Sequence, residues 1–106
     1  MNQLSERNRE KLLVYRVSGA KMERFYEMAL MFPREKKKFE KQAEKCRESM
    51  ADIEKKISEV DDGILSEILF QKYVLGKSLE AVSEAVNYSK RQIERLHLIA
   101  LEKIKV

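Results

Sequence analysis

Apolar residues recur at steps of three and four through five stretches of this chain, and no useful length of it alternates as a half-buried strand does. The first stretch runs from about Glu10 to Phe32. Within it Tyr15, Met22, Phe25, Ala29 and Phe32 form one stripe, Ser18 fills the gap, and Leu12, Leu13 and Tyr26 add apolar bulk. The residues before Glu10 are mostly polar and are expected to fray. Gly19 sits in the middle, where glycine costs a helix about 1 kcal/mol relative to alanine; the helix is still expected to run through it. Phe32-Pro33 is the sharpest break, because proline disfavours helix in the residue before it and suits the first turn of a helix that follows.

The second stretch, Arg34 to Val60, is the most regular. Phe39, Ala43, Cys46, Met50, Ile53, Ile57 and Val60 step alternately by four and three, an unbroken heptad seam with mostly charged residues between. This seam can pack on the first helix as an antiparallel hairpin, or on another copy of itself. Ala43, Cys46 and Met50 are poor choices for a free-standing coiled coil, and a hairpin alone would leave much of a long helix uncovered. Residues 1–60 are therefore expected to form a helical hairpin or coiled coil that also contributes to a homodimer or docks a partner. The basic run Arg34-Glu35-Lys36-Lys37-Lys38 reads as a solvated helix start.

Three further helices are expected in residues 61–106. Asp61-Asp62-Gly63 interrupts the pattern and places an aspartate to cap the next helix. Ile64, Leu65, Ile68, Leu69, Tyr73 and Val74 fill Asp62 to Leu75, and Gly76 follows in the C-cap role. Ser78 precedes Leu79, Val82, Ala85 and Val86 and caps a short helix over Leu79 to Val86. A turn then falls at Val86-Asn87-Tyr88, where asparagine takes the left-handed conformation at low cost. Ser89, with Gln92 three residues on, makes a capping box. From there Ile93, Leu96, His97, Ala100, Leu101 and Ile104 line one face of a helix from Lys90 to about Lys105. Two helices joined by so short a turn form a helix-turn-helix. In DNA-binding versions the first residues of the second helix meet base edges in the major groove; here those are Lys90, Arg91, Gln92, Glu94 and Arg95.

Composition supports an all-helical chain: 106 residues with 38% charged, 3 glycines, 1 proline and no tryptophan. The single cysteine, Cys46, excludes an intrachain disulfide and is read as a small apolar filler, which together with the absence of a membrane span or signal pattern suggests a reducing cytoplasm. No nucleophile–base pair, metal cluster or phosphate-cradling glycine loop stands in the sequence, so neither enzymatic activity nor a cofactor is expected. His97, the sole histidine, reads as a packing or hydrogen-bonding residue rather than a metal ligand. The net charge of +4 leans toward nucleic acid, but its distribution matters. Residues 61–106 hold seven basic residues (Lys72, Lys77, Lys90, Arg91, Arg95, Lys103, Lys105) and seven acidic ones (Asp61, Asp62, Glu67, Glu80, Glu84, Glu94, Glu102). Phosphate contacts supply most non-specific affinity, so one copy of this neutral unit is expected to bind DNA poorly without a second copy or a partner protein.

At residues 64–105 the sequence resembles region 4 of bacterial sigma factors. That family has a helix ending in a Tyr/Phe-x-x-Gly element, then Ser-Leu-x-x-Ile/Val-Ala, a glycine-centred turn, Ser/Thr with basic residues, and an Ala-Leu-x-Lys-Leu-like end. The counterparts are Tyr73 to Gly76, Ser78-Leu79 to Val82-Ser83, Asn87, Ser89-Lys90-Arg91, and Ala100-Leu101-Glu102-Lys103-Ile104. A long helical segment followed by such a unit is similar to small transcriptional regulators of phages and prophages. Asn87 replaces the turn glycine, and Ser83 replaces a small alanine between the helices. Glu94 stands where the family more often has a basic residue, which leaves the target sequence open. The chain carries no counterpart of region 2, so promoter melting is not expected of it.

The resemblance implies contacts to double-stranded DNA from Lys90, Arg91, Glu94 and Arg95. Arg91 and Arg95 suit guanine edges or phosphates, Lys90 a phosphate, Gln92 capping or adenine reading, and Ser89 a cap with phosphate contact as a second role. Tyr88 is expected to pack beneath the second helix. The leading expectation is a phage-type transcriptional regulator. Its rivals are a module that binds RNA polymerase or a sigma factor without touching DNA, and a small-terminase-like DNA-packaging component.

Overall fold

Pro33 ends one long helix and opens the next. In the computed structural model, which describes residues 2–106, α1 spans Gln3–Met31, a single 3-10 turn spans Pro33–Glu35, and α2 spans Lys36–Ser58. The Phe32 backbone leaves helical geometry, and its N–H closes α1 onto Met28 O. α2 then runs back antiparallel to α1: Phe25 stacks on Phe39 at 6.4 Å between ring centroids, and Gly19 faces Met50. A Cβ on Gly19 would lie 3.3 Å from Met50 Cε, so the missing side chain lets the helices approach closely without breaking α1. The helix runs through Gly19, as expected.

After Val60 the chain turns into α3, Gly63–Leu69, whose N-cap is Asp62. Its carboxylate accepts from Ile64 N at 3.0 Å and Leu65 N at 3.3 Å. The expected α-helix to Leu75 stops at Leu69, and Phe70–Val74 form one π turn with Leu75 N donating to Phe70 O. The wider turn buries both Gln71 and Tyr73. Gln71 is held by Glu67 (2.8 Å) and Lys77 (3.2 Å), and Lys77 N closes the end onto Gln71 O. Gly76 lies at φ +74°, where side chains are strained, and the Arg16 guanidinium occupies the space of its absent Cβ. α4 covers Leu79–Val86 and α5 covers Lys90–Lys103. All described residues are helix, turn or connecting backbone, with no strand among them, and no helix is long and apolar enough to cross a membrane.

The main core lies where the first half of α1, the end of α2, α3, the π turn and α5 meet. Leu12, Ile57, Leu65, Leu69, Tyr73 and Leu101 are all essentially inaccessible there. The heptad seam on α2 divides its work between two partners. Phe39, Ala43, Cys46 and Met50 face α1, whereas Ile53, Ile57 and Val60 pack into the main core. Four of the seven are buried and three half-buried, so most of the seam is covered within one chain.

The first ten residues depart most from expectation. Rather than fraying, α1 starts at Gln3 with Asn2 as its cap, accepting from Ser5 N at 2.7 Å. The polarity that suggests disorder serves a tertiary contact: buried Asn8 donates its amide to Leu101 O (2.7 Å) and Ile104 O (3.2 Å) at the end of α5. Asn2 reaches Glu102 and Lys11 reaches Val106 O. Two carbonyls that end a helix without intrahelical donors are thereby satisfied. Replacing Asn8 by Ala should lower the unfolding free energy by about 1–3 kcal/mol, the penalty of stranding buried carbonyls. Urea denaturation followed by circular dichroism would measure it, and a change within error would show that the clamp contributes nothing to stability.

Candidate functional site

Local chemistry at the α4–α5 junction accounts for its shape. Ser78 Oγ accepts from Ala81 N at 3.1 Å and starts α4. Asn87 takes the left-handed conformation (φ 59°, ψ 41°) and is the only described residue other than glycine with positive φ. Ser89 then starts α5 with the complete capping box: Gln92 N donates to Ser89 Oγ (3.2 Å), and Ser89 N donates to Gln92 Oε1 (3.0 Å). Beneath the turn, Ile68, Val82 and Ile93 form a small inaccessible cluster that fixes α4 against α5. Ser83, buried at the same contact, returns its hydroxyl to Glu80 O at 2.7 Å, which explains why a serine is tolerated between these helices.

The six candidate residues Ser89, Lys90, Arg91, Gln92, Glu94 and Arg95 are all exposed. Ser89, Arg91, Gln92 and Arg95 line one shallow surface depression of about 470 Å³. Lys90 and Glu94 lie outside its lining. Ser89 and Gln92 are already bonded to each other, and Gln92 Oε1 also accepts from Ser89 Oγ, so both act first as caps. Arg91 and Arg95 form no ion pair among the described residues; the pairs found there are Lys38–Glu35 and Lys56–Asp52, both involving α2 or the turn before it. Neither Glu94 nor Glu102 pairs with them. Tyr88 is 40% exposed rather than packed beneath α5. The run Arg34 to Lys38 is solvent-exposed around the start of α2, as expected.

On the opposite face of α5, His97 is buried 2.7 Å from the Tyr73 hydroxyl, the two rings stacked with centroids 5.7 Å apart. Burial, with Lys72 and Arg9 nearby, holds the His97 imidazolium down to a pKa of about 4, and burial pushes Tyr73 up to about 12. Near neutral pH both groups are uncharged, and the hydroxyl and Nε2 share one hydrogen bond. No group of metal-ligating side chains is assembled among the described residues.

Sequence reasoning missed three cations that α1 brings beside this unit. Arg9 stands near Tyr73 and His97, Lys11 binds Val106 O, and Arg16 covers Gly76. A charge count restricted to residues 61–106 omits them, and only the tertiary packing reveals them. No family model matches the chain, and neither a curated protein nor a solved structure does.

The histidine makes stability pH-dependent with a defined sign. Its folded pKa lies below the unfolded value of about 6.5, so its neutral form supports the fold fully above pH 6.5. That support is lost as the pH falls toward 4, by about 3 kcal/mol in total. Urea midpoints measured from pH 7 to 4 should fall accordingly, and His97→Leu should flatten the part of the slope above pH 5, where few carboxylates titrate. A parallel slope in that variant would show that other groups carry the effect.

Proposed function

We propose that α4, the Asn87 turn and α5 act as a sigma region 4-like helix-turn-helix that binds duplex DNA, and that the protein is a phage-type transcriptional regulator. Residues 61–106 form the DNA-binding part and residues 1–60 the supporting hairpin. The observation that carries this reading is the pair Arg91 and Arg95, exposed in the first two turns of α5 and free of ion pairs, on the helix whose other face is buried through Ile93, His97 and Ala100. A guanidinium presented this way can bond guanine in the major groove bidentately, and Lys90 at the helix start sits where a phosphate passes. Arg9, Lys11 and Arg16 add positive charge beside a segment that is neutral on its own.

A second reading rests on that neutrality and on exposed Glu94: the same surface binds RNA polymerase or a sigma factor, with no DNA contact. Selection from a random duplex pool separates the two. An enriched motif supports DNA reading; no motif, with retention of polymerase on the immobilised protein, supports the second. On an enriched site, Arg91→Ala and Arg95→Ala should each weaken binding by about 1–3 kcal/mol and relax the base preference where they contact a base. Lys90→Ala should weaken all sequences alike. With three cationic contacts per chain, the logarithm of the binding constant should fall with the logarithm of salt at a slope near −3 per bound copy. Fluorescence anisotropy at several salt concentrations measures it, and a flat salt response would exclude the phosphate contacts.

A further inference from the structure

The side of α1 facing away from the rest of the chain is not polar throughout. Leu13, Val14 and Val17 are 43%, 45% and 54% exposed, although α1 buries Leu12 and Ser18 on its other side. Glu10, Val14, Val17, Lys21 and Arg24 are all exposed and step by four, three, four and three, so they form one stripe along the helix. The stripe reads acidic, apolar, apolar, basic, basic. Beyond Lys21 it borders a groove of about 640 Å³ between α1 and α2, with a floor of Phe25, Met28 and Cys46 and a rim of Lys21, Arg24 and Lys45.

This order of charges is self-complementary when the helix is reversed. We propose that a second copy of the chain packs on this face, the two α1 helices antiparallel about a two-fold axis near Val14 and Val17. The valines of both copies meet at the axis, and each Glu10 faces the partner copy's basic positions at 21 and 24. The carboxylate of Glu10 then lies toward the basic rim of the other copy's groove. Arg7, one turn further out, comes opposite Arg24, and the adjacent Glu6 gives that arginine an acidic neighbour. An isologous contact of this kind makes the Glu10–Lys21 pair twice. It spans about 14 residues, roughly 21 Å of helix, which places it at the small end of specific interfaces and its dissociation constant in the micromolar range. The α2 seam, by contrast, is already covered within one chain.

The proposal does not depend on the DNA reading, and its test contains no DNA. Sedimentation velocity of the full chain from about 5 to 300 µM should show a reversible monomer–dimer equilibrium. Val17→Glu should raise the dissociation constant at least tenfold by placing two carboxylates at the axis. Glu10→Arg and Lys21→Glu should each weaken the dimer several-fold, and the two together in one chain should restore it to within about threefold of the parent. Since all three positions are exposed, unchanged helicity by circular dichroism checks that the variants fold. A monomer throughout the range, self-association insensitive to these changes, or a double variant no better than either single one would overturn the proposal.

Discussion

Everything at the α5 end of the molecule depends on how one turn of α1 holds it. Asn8 donates both amide protons to carbonyls at the end of α5, and Leu12, one turn on, is fully enclosed among Leu65, Leu69, Tyr73 and Leu101. The hydrogen bonds meet the demand of a helix end that has exhausted its own donors, and the leucine supplies apolar contact beside them. Together they fix the rotation of α5 about its axis. His97, Ala100 and Leu101 must then face inward, and the first turns of the same helix must carry Arg91 and Arg95 outward. The exposed chemistry at residues 89–95 is in this sense set by contacts made further along the same helix, at Leu101 and Ile104.

Much of the fold is legible in local signals of the sequence. The caps Asp62, Ser78 and Ser89, the left-handed Asn87 and Gly76, and the break at Pro33 involve residues within six positions of each other, and each is readable from residue type alone. Two features are not. The order in residues 3–10 depends on acceptors more than ninety positions away, and no neighbouring residue signals that Asn8 will meet Ile104. The π turn at Phe70–Val74 likewise has no marker in its own sequence: its widened register lets Gln71 and Tyr73 both turn inward, toward Glu67 and His97 respectively. Helical spacing picks out the six candidate residues between 89 and 95. That four of them share one depression, with Lys90 and Glu94 outside it, follows only from the way α5 is seated on its neighbours.

The α2 seam shows the limit of periodicity as evidence for association. A perfect heptad repeat states that one face of a helix is buried; it does not state by what. Here α1 covers the upper half and a mixed layer of α1, α3 and α5 the lower half, within a single chain. Ala43 and Cys46, weak residues for a free-standing dimer, suit a close hairpin in which Gly19 already admits Met50. The buried Tyr73–His97 pair lies at the other end of this shared core and sets the π turn against α5 through a directional bond, which an all-aliphatic contact would not do.

The clamp between residues 8 and 104 also has a consequence for synthesis. Ribosomes deliver Asn8 more than ninety positions before the carbonyls it binds, so the principal core cannot close until the intervening stretch has been made. Until then the hairpin of α1 and α2 stands with Leu12, Ile53 and Ile57 uncovered, an apolar surface available to chaperones. Contacts so distant in sequence also close slowly, since a long loop must be ordered before they form. For so helical a chain, the docking of α5 onto α1 is an unusually long-range contact.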